Sequence, residues 1–318
     1  MLIFQVTDSM SVIFSPIKKE IFIMEKQTVF TGSAVALITP FNESGVDYEA
    51  FGALIDWHLE KKTDAFVICG TTGEASTLTD EEHVDVIRYA CERVAGRKKI
   101  IAGTGSNDTD YSLWLSKEAE AAGADALLLV TPYYNKATPK GLIKHFSTVA
   151  DNVKIPSILY NVPSRTGCNI PLSVYRELAK HENIVATKEA SGNISAIAEI
   201  AAECGNSLDI YSGNDDQIVP IMSLGAKGVI SVLANVLPDE THDICSLFLQ
   251  GKTKESLELQ LKYLDLINKL FCEVNPIPVK TAMHLMGRCK IDMRSPLCEM
   301  EDANRAALEA VLKAHSII

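Results

Sequence analysis

The sequence predicts an α/β protein, a closed (β/α)8 TIM barrel with a C-terminal helical extension. Three observations carry that prediction. From Ser33 onward, eight short apolar or β-branched runs recur, separated by stretches whose apolar residues repeat at helical spacing. The runs are continuously apolar rather than alternating, as in strands of a parallel sheet covered on both faces. Eight such units occupy residues 33–249, close to the length of about 250 residues typical of this barrel.

Taken in order, the first strand is "SAVALITP" (33–40), followed by "YEAFGALIDWHLEKK", which places Phe51, Leu54, Ile55 and Leu59 on one helical face. The second strand, "AFVICG" (65–70), leads into "TDEEHVDVIRYACERVAG", a helix that opens on a T-x-x-E capping box and closes on a glycine. "KIIAGTG" (99–105) is the third, and its helix "TDYSLWLSKEAEAAG" ends the same way. The remaining strands are "ALLLVTP" (126–132), "PSILYNV" (156–162), "IVATKEA" (184–190), "LDIYSG" (208–213) and "GVISVLA" (228–234), with a short helix near 215–224. The tail, 250–318, reads as three helices: "KESLELQLKYLDLINKLF", "PIPVKTAMHLMG" and "MEDANRAALEAVLKAH". A doubly wound open sheet would fit the same alternation, but no G-x-G-x-x-G follows the first strand.

Residues 1–23, "MLIFQVTDSMSVIFSPIKKEIFI", are apolar only in patches, broken by Thr7-Asp8-Ser9 and Ser15-Pro16. They lack a basic n-region and an A-x-A site, so they read as a poorly ordered extension ahead of Met24 rather than a signal peptide. The barrel is therefore assigned to 24–249.

A net charge of −11 disfavours nucleic acid and anionic membranes as partners. No apolar run reaches the roughly 20 residues of a membrane span. The eight cysteines never fall at C-x-x-C spacing, which excludes a zinc knuckle and fits a reducing cytoplasm. The seven histidines, at 58, 83, 145, 181, 242, 284 and 315, form no close pair, so a metal-dependent aldolase or hydrolase is disfavoured. Neither a G-x-S-x-G elbow nor a P-loop is present.

In a barrel of this kind chemistry gathers at the carboxyl ends of the strands. Those ends carry Thr39, "GTTGE", Gly103 and Gly105, "TPYYN", "YNVPSRTG", "KEASG", "SGND" and "VISV". Lys188 ends an apolar strand, where desolvation favours a neutral, nucleophilic amine able to form a Schiff base with a carbonyl. Taken alone it is better explained as a strand-end lysine paired with Glu189 or reaching solvent. Its neighbours shift that balance. Tyr160 and Tyr134 offer phenols for proton transfer, linked through the hydroxyls of Thr71 and Thr72. The backbone N–H groups of Gly70-Thr71-Thr72-Gly73 form a carboxylate cradle, and Arg165 offers a bidentate fork for a second carboxylate. Each has a bland explanation singly, as packing aromatics, a tight turn or a surface arginine. Their convergence on one rim does not.

The motifs "GTTGE" (70–74), "TPYYNK" (131–136), "YNVPSRTG" (160–167), "KEASGN" (188–193) and "GVISV" (228–232) resemble the dihydrodipicolinate (4-hydroxy-tetrahydrodipicolinate) synthase family, in its order, from about Phe30 to the C-terminus. The resemblance implies a class I aldolase-type condensation of pyruvate with aspartate 4-semialdehyde, needing no metal or organic cofactor, on the route to diaminopimelate and lysine. It implies Lys188 as Schiff-base residue, Tyr160 as general acid/base, Thr72 as the middle of a hydroxyl relay, and Tyr134 as a residue reaching a neighbouring subunit's site. By the same resemblance Thr71 and Thr72 hold the pyruvate carboxylate, Gly213 and Ile230 line that pocket, and Arg165 receives the semialdehyde carboxylate. A homodimer or homotetramer follows from the role of Tyr134. N-acetylneuraminate lyases and keto-deoxy-sugar aldolases share the lysine and tyrosine but generally lack the arginine of "PSRTG"; a catalytically idle binding homologue would not need the whole set. Asn107, His83 and Tyr133 match the family's lysine effector site. Tyr111 stands there in place of an acidic residue and Asp80 in place of a basic or polar one, so weak or absent lysine inhibition is expected.

Overall fold

The computed structural model describes residues 26–318; residues 1–23, read as an extension, lie outside the described residues. In chain order the strands are β1 (Gly32–Ala36), β2 (Phe41–Asn42), β3 (Gly45–Val46), β4 (Ala65–Ile68), β5 (Lys99–Gly103), β6 (Ala126–Val130), β7 (Ser157–Asn161), β8 (Ile184–Glu189), β9 (Asp209–Ser212) and β10 (Gly228–Ser231). β2 and β3 form a small antiparallel hairpin, and the other eight close into a barrel in sequence order, with β10 returning to β1. Every barrel pair is parallel, as in Tyr160 opposite Lys188 between β7 and β8.

The helices of the barrel are α1 (Tyr48–Glu60), α2 (Asp80–Val94), α3 (Thr109–Ala121), α4 (Pro139–Ala150), α5 (Pro163–Thr166), α6 (Leu172–Leu178), α7 (Ile194–Cys204), α8 (Ile218–Met222) and α9 (Pro238–Leu249). The tail supplies α10 (Thr253–Lys262), α11 (Leu264–Lys269), α12 (Ile277–Leu285) and α13 (Asp302–Ala314). The capping box is present: Thr79 Oγ1 accepts the Glu82 amide at 3.2 Å, and Glu82 returns a carboxylate to the Thr79 amide at 3.0 Å.

All eight predicted strands exist, but each leaves the ladder before its apolar run ends. Buried residues such as Thr39 continue into loops, where tertiary hydrogen bonds replace strand pairing; Thr39 Oγ1 donates to Gly73 O at 2.7 Å. The stretch predicted as one helix over 254–271 is two. It breaks at Tyr263, whose buried ring joins the core while its backbone leaves helical geometry. Just before the break, buried Gln260 accepts from the Val219 amide and donates to Asp216 O, tying the tail to the seventh βα unit.

Two apolar layers follow from the strand geometry. Side chains facing outward pack under the helices in a large core that includes Val35, Phe66, Leu129 and Leu159. Those facing inward, among them Ala36, Val67, Leu128, Ile158 and Tyr160, fill the barrel. At the amino end of the strands Phe30 stacks on Tyr211, ring centroids 4.2 Å apart, and accepts the Tyr211 hydroxyl proton on its carbonyl at 2.6 Å. That end is plugged. β8 departs from regularity at its start, where Ser157 faces Ile184 but Ile158 faces Ala186, so Val185 is an extra residue.

Candidate active site

Lys188 is the fifth residue of β8 and points into the barrel with only 6% of its surface exposed. Its Nζ lies 4.4 Å from the centroid of the Tyr160 ring, brought there by the direct pairing of the two residues across β7 and β8. The pairing with Glu189 that sequence alone favoured does not form. Glu189 faces the opposite side, where its carboxylate accepts from the Tyr175 hydroxyl, the Asn161 amide and, at 2.9 Å, the Ser191 hydroxyl. Burial there pushes the Glu189 carboxyl above its ordinary range, against those hydrogen bonds.

The amine opens into a cavity of about 550 Å³ at the carboxyl end of the barrel, whose walls include Thr71, Thr72, Tyr160, Arg165 and Gly213. Gly213 is required by proximity. A Cβ there would meet Ala190 Cβ at 2.7 Å and the Lys188 Cε at 3.1 Å. Ile230, expected in the same wall, is fully buried on β10 within the barrel interior, two residues short of Val232, which does line the cavity.

The "GTTGE" turn is a 3-10 turn over Thr71–Gly73. Its geometry narrows the expected cradle, because the Gly73 amide is consumed within the turn by Gly70 O at 3.0 Å and the Glu74 amide by Thr71 O at 3.2 Å. The Thr71 and Thr72 amides, at the start of the turn, are the ones a carboxylate could use. Glu74 then takes a left-handed backbone, φ 54°, and buries its carboxylate against Lys280 of α12 at 2.6 Å. Lys280 is itself wholly buried and sits over the Phe41 ring. Arg294 covers the same ring, and it holds Thr77 O and both oxygens of Glu82. The tail is thus clamped onto the turn that forms one wall of the cavity.

Two residues that sequence reasoning did not single out belong to this region. Asn275, between α11 and α12, donates from Nδ2 to Thr72 Oγ1 at 3.0 Å and accepts the Arg165 guanidinium on its carbonyl at 2.9 Å. Asp215, in the loop after β9, is buried and accepts the Val232 and Leu233 amides at 3.0 and 2.8 Å. Burial raises its carboxyl above the usual range, while those amides and the charge of Lys188 act in the opposite direction. "SGND" at a strand end was a readable signal for Asp215. For Asn275 the sequence offers only "NP" at a helix start.

Tyr134 does not reach this cavity. It is 89% exposed, in a loop with a left-handed backbone, φ 70°. Tyr133 beside it and His83 line a second cavity, about 400 Å³, that also shares the Thr71, Tyr160 and Arg165 walls of the first. His83 Nε2 bonds Gly103 O at 2.8 Å, and burial holds its imidazole below the usual value. Asn107 is not in that wall; its carbonyl accepts the Asn135 side-chain amide at 2.9 Å. Tyr111 lines the cavity, and its hydroxyl donates to Asp80 at 2.7 Å; burial first, then Asp80, push that phenol up to about 12. Cys69 lies in the same wall, and burial pushes its thiol up, as befits a packed side chain.

A parallel eight-stranded barrel with a buried lysine beside a tyrosine at its open end has the build of a class I, Schiff-base aldolase-type lyase. Residues 29–315 match the Dihydrodipicolinate synthetase family. The chain is 59% identical over 290 residues to a 4-hydroxy-tetrahydrodipicolinate synthase of Caldicellulosiruptor saccharolyticus, covering 91% of this chain and 98% of that one. It is 58% identical over 291 residues to the synthase of Caldicellulosiruptor bescii, with coverage of 91% and 98%. Among solved structures, dihydrodipicolinate synthase from Aquifex aeolicus matches with a TM-score of 0.89 at 48% identity, over 91% of this chain and 99% of that one. The chain belongs to the dihydrodipicolinate synthetase family.

Proposed function

We infer that the protein is a 4-hydroxy-tetrahydrodipicolinate synthase that condenses pyruvate, held as an imine on Lys188, with L-aspartate 4-semialdehyde. The observation that carries this reading is the Lys188 amine, buried at the base of an open cavity against the Tyr160 ring. Pyruvate places its carboxylate on the Thr71 and Thr72 amides and its ketone on Lys188. The amine adds to the ketone carbon, and one water leaves as the imine forms. Loss of a methyl proton gives the enamine, whose carbon attacks the aldehyde of the second substrate. The amino group of that substrate then displaces Lys188 from the imine carbon, closing the ring and freeing the enzyme. Tyr160 moves the protons, with Thr72 passing them along. Apolar side chains of the barrel interior, among them Ala36, Val67 and Leu128, shield the imine from one side.

Arg165 receives the carboxylate of the semialdehyde at the cavity mouth, the feature that favours this aldehyde over a sugar aldehyde. The exposed Tyr134 completes the relay of a neighbouring subunit, which makes the working enzyme at least a dimer. The second cavity, lined by His83 and Tyr133, is the effector site of this reading; there Tyr111 replaces the acid that would meet a lysine amine, and its hydroxyl is tied to Asp80.

Borohydride treatment in the presence of pyruvate, followed by peptide mass analysis, is expected to find the reduced pyruvate adduct on Lys188; an unmodified Lys188 refutes the mechanism. The substrate is tested by offering the imine either aspartate semialdehyde or N-acetylmannosamine. Turnover of the amino sugar alone would reassign the enzyme to the sugar lyases of the same fold.

A further inference from the structure

We propose that Asn275 is a specificity-determining residue that recognises the amino group of the aldehyde substrate through its side-chain carbonyl. The inference rests on the reading above, in which the second substrate is a short α-amino acid aldehyde.

Asn275 is 6% exposed and lines the cavity above Lys188. It is held on two sides, by its Nδ2 on Thr72 Oγ1 and by the Arg165 guanidinium on its backbone carbonyl. The wholly buried Glu74–Lys280 pair fixes α12, which starts two residues later, against the "GTTGE" turn. The position of the side chain is therefore set independently of any ligand. Its Oδ1, however, is buried without a hydrogen-bond partner. An orphaned acceptor in a folded interior is unfavourable and calls for a donor.

Pyruvate cannot be that donor, because it has no N–H or O–H once its carboxyl is ionised. The second substrate can. An α-amino acid carries its carboxylate and its amino group on one carbon, and the orphaned oxygen belongs to the residue that Arg165 itself binds. A carboxylate on the Arg165 fork thus brings the neighbouring amino group to Asn275 Oδ1. The charge state of the acceptor suits the chemistry. A neutral amide accepts an N–H without trapping the group as an ammonium ion, so the nitrogen stays free to lose its proton and close the ring. It also explains why an asparagine rather than an acid stands at this place. The nearby Glu273 has its Oε1 engaged by the Glu301 amide and, at 2.7 Å, by the Asn304 side chain.

The test compares aspartate semialdehyde with succinate semialdehyde, which lacks only the amino group, using the full-length enzyme preloaded with pyruvate and following, in a single turnover, loss of the pyruvate imine on Lys188. This reads carbon–carbon bond formation, before the step in which the amino group frees the enzyme. The wild-type enzyme is expected to favour the amino aldehyde in the second-order rate constant of that step by roughly 10- to 100-fold, the worth of one buried hydrogen bond to a charged or polar partner. In Asn275→Ala that ratio falls to near one, whereas Asn275→Asp, which keeps an acceptor, retains it in this step while the trapped ammonium slows the later ring closure. Because the two aldehydes are compared within one variant, general damage to imine formation cancels. A wild-type ratio near one overturns the proposal without any variant, and so does an Asn275→Ala enzyme that slows on both aldehydes equally with its ratio intact. Absence of the pyruvate adduct on Lys188 would instead overturn the functional reading on which this rests.

Discussion

Gly213 offers the sharpest test of how closely the site is packed. Its amide donates to Glu189 O at 2.7 Å, so the backbone of the β9 end is fastened to the residue after Lys188. In Gly213→Ala the new methyl group would stand 2.7 Å from Ala190 Cβ, 3.1 Å from Glu189 O and 3.1 Å from Lys188 Cε, where ordinary contact begins at 3.4 Å. Ala190 and the Glu189 carbonyl are held by main chain, so they cannot yield without loosening the β8 end. The Lys188 tether can yield, and it is the softest of the three. Overpacking of this size costs about 1–3 kcal/mol of stability. Moving a reacting atom by about 1 Å costs on the order of 100-fold in rate. The variant is therefore expected to fold with a lowered melting temperature and to lose about two decades in kcat/KM, with slower capture of pyruvate by borohydride. Wild-type kcat/KM in a variant with an unchanged melting temperature would refute the claim that the methyl group has no room.

Four further outcomes follow from the same geometry. Arg165→Ala should raise the KM for aspartate semialdehyde by about 10- to 100-fold while pyruvate trapping persists, since a charge-assisted fork is lost only for the second substrate; equal loss of both steps would make Arg165 structural. Lys280→Met leaves Glu74 buried and unpaired and should cost roughly 3–5 kcal/mol in a urea titration, most of it recovered in the double variant Glu74→Gln/Lys280→Met. Arg294→Ala should cost roughly 1–2 kcal/mol at neutral pH. The Arg294 hydrogen bonds hold the Glu82 carboxyl below its ordinary range, so this stabilisation is present above the unfolded pKa near 4.5 and fades as pH falls through the lower folded value. A difference between the two proteins that stays constant into acid would remove Glu82 from the explanation. Free lysine below about 1 mM should leave turnover unchanged in the coupled assay, given the Tyr111–Asp80 hydrogen bond; inhibition there would show that the effector's amine finds other partners.

The barrel was legible because strands covered on both faces must be apolar at every position, which makes runs such as "ALLLV" stand out against helical spacing. The strand ends were legible for the complementary reason. Polar groups at the end of an apolar run, Lys188 above all, have no packing purpose to explain them. Less readable was anything set by partners distant in the chain. Nothing in "KYLDL" announces that Tyr263 will leave the helix for the core, and nothing in "EVNPIP" announces an amide that meets both Thr72 and Arg165. The Gly73 amide lay in a motif that was recognised, yet its use inside the turn depends on a local hydrogen bond that residue types do not reveal. The exposure of Tyr134 was equally unreadable, because residue types in "TPYYN" do not say which side chain turns away from the rim.

The extra residue in β8 carries a consequence best put as arithmetic. Side chains along a strand alternate faces, so the parity of the count from its start decides whether the amine or the neighbouring carboxylate enters the barrel. Val185 absorbs one surplus position before Ala186, and everything beyond is in step with β7. Losing Val185 would simply regularise the strand and leave Lys188 opposite Tyr160. Losing Thr187, two places later, would bring Glu189 inward in its stead and turn the amine toward the helices. Deletions of identical size, almost side by side, thus differ in whether a nucleophile remains, although neither removes a chemical group from the catalytic set.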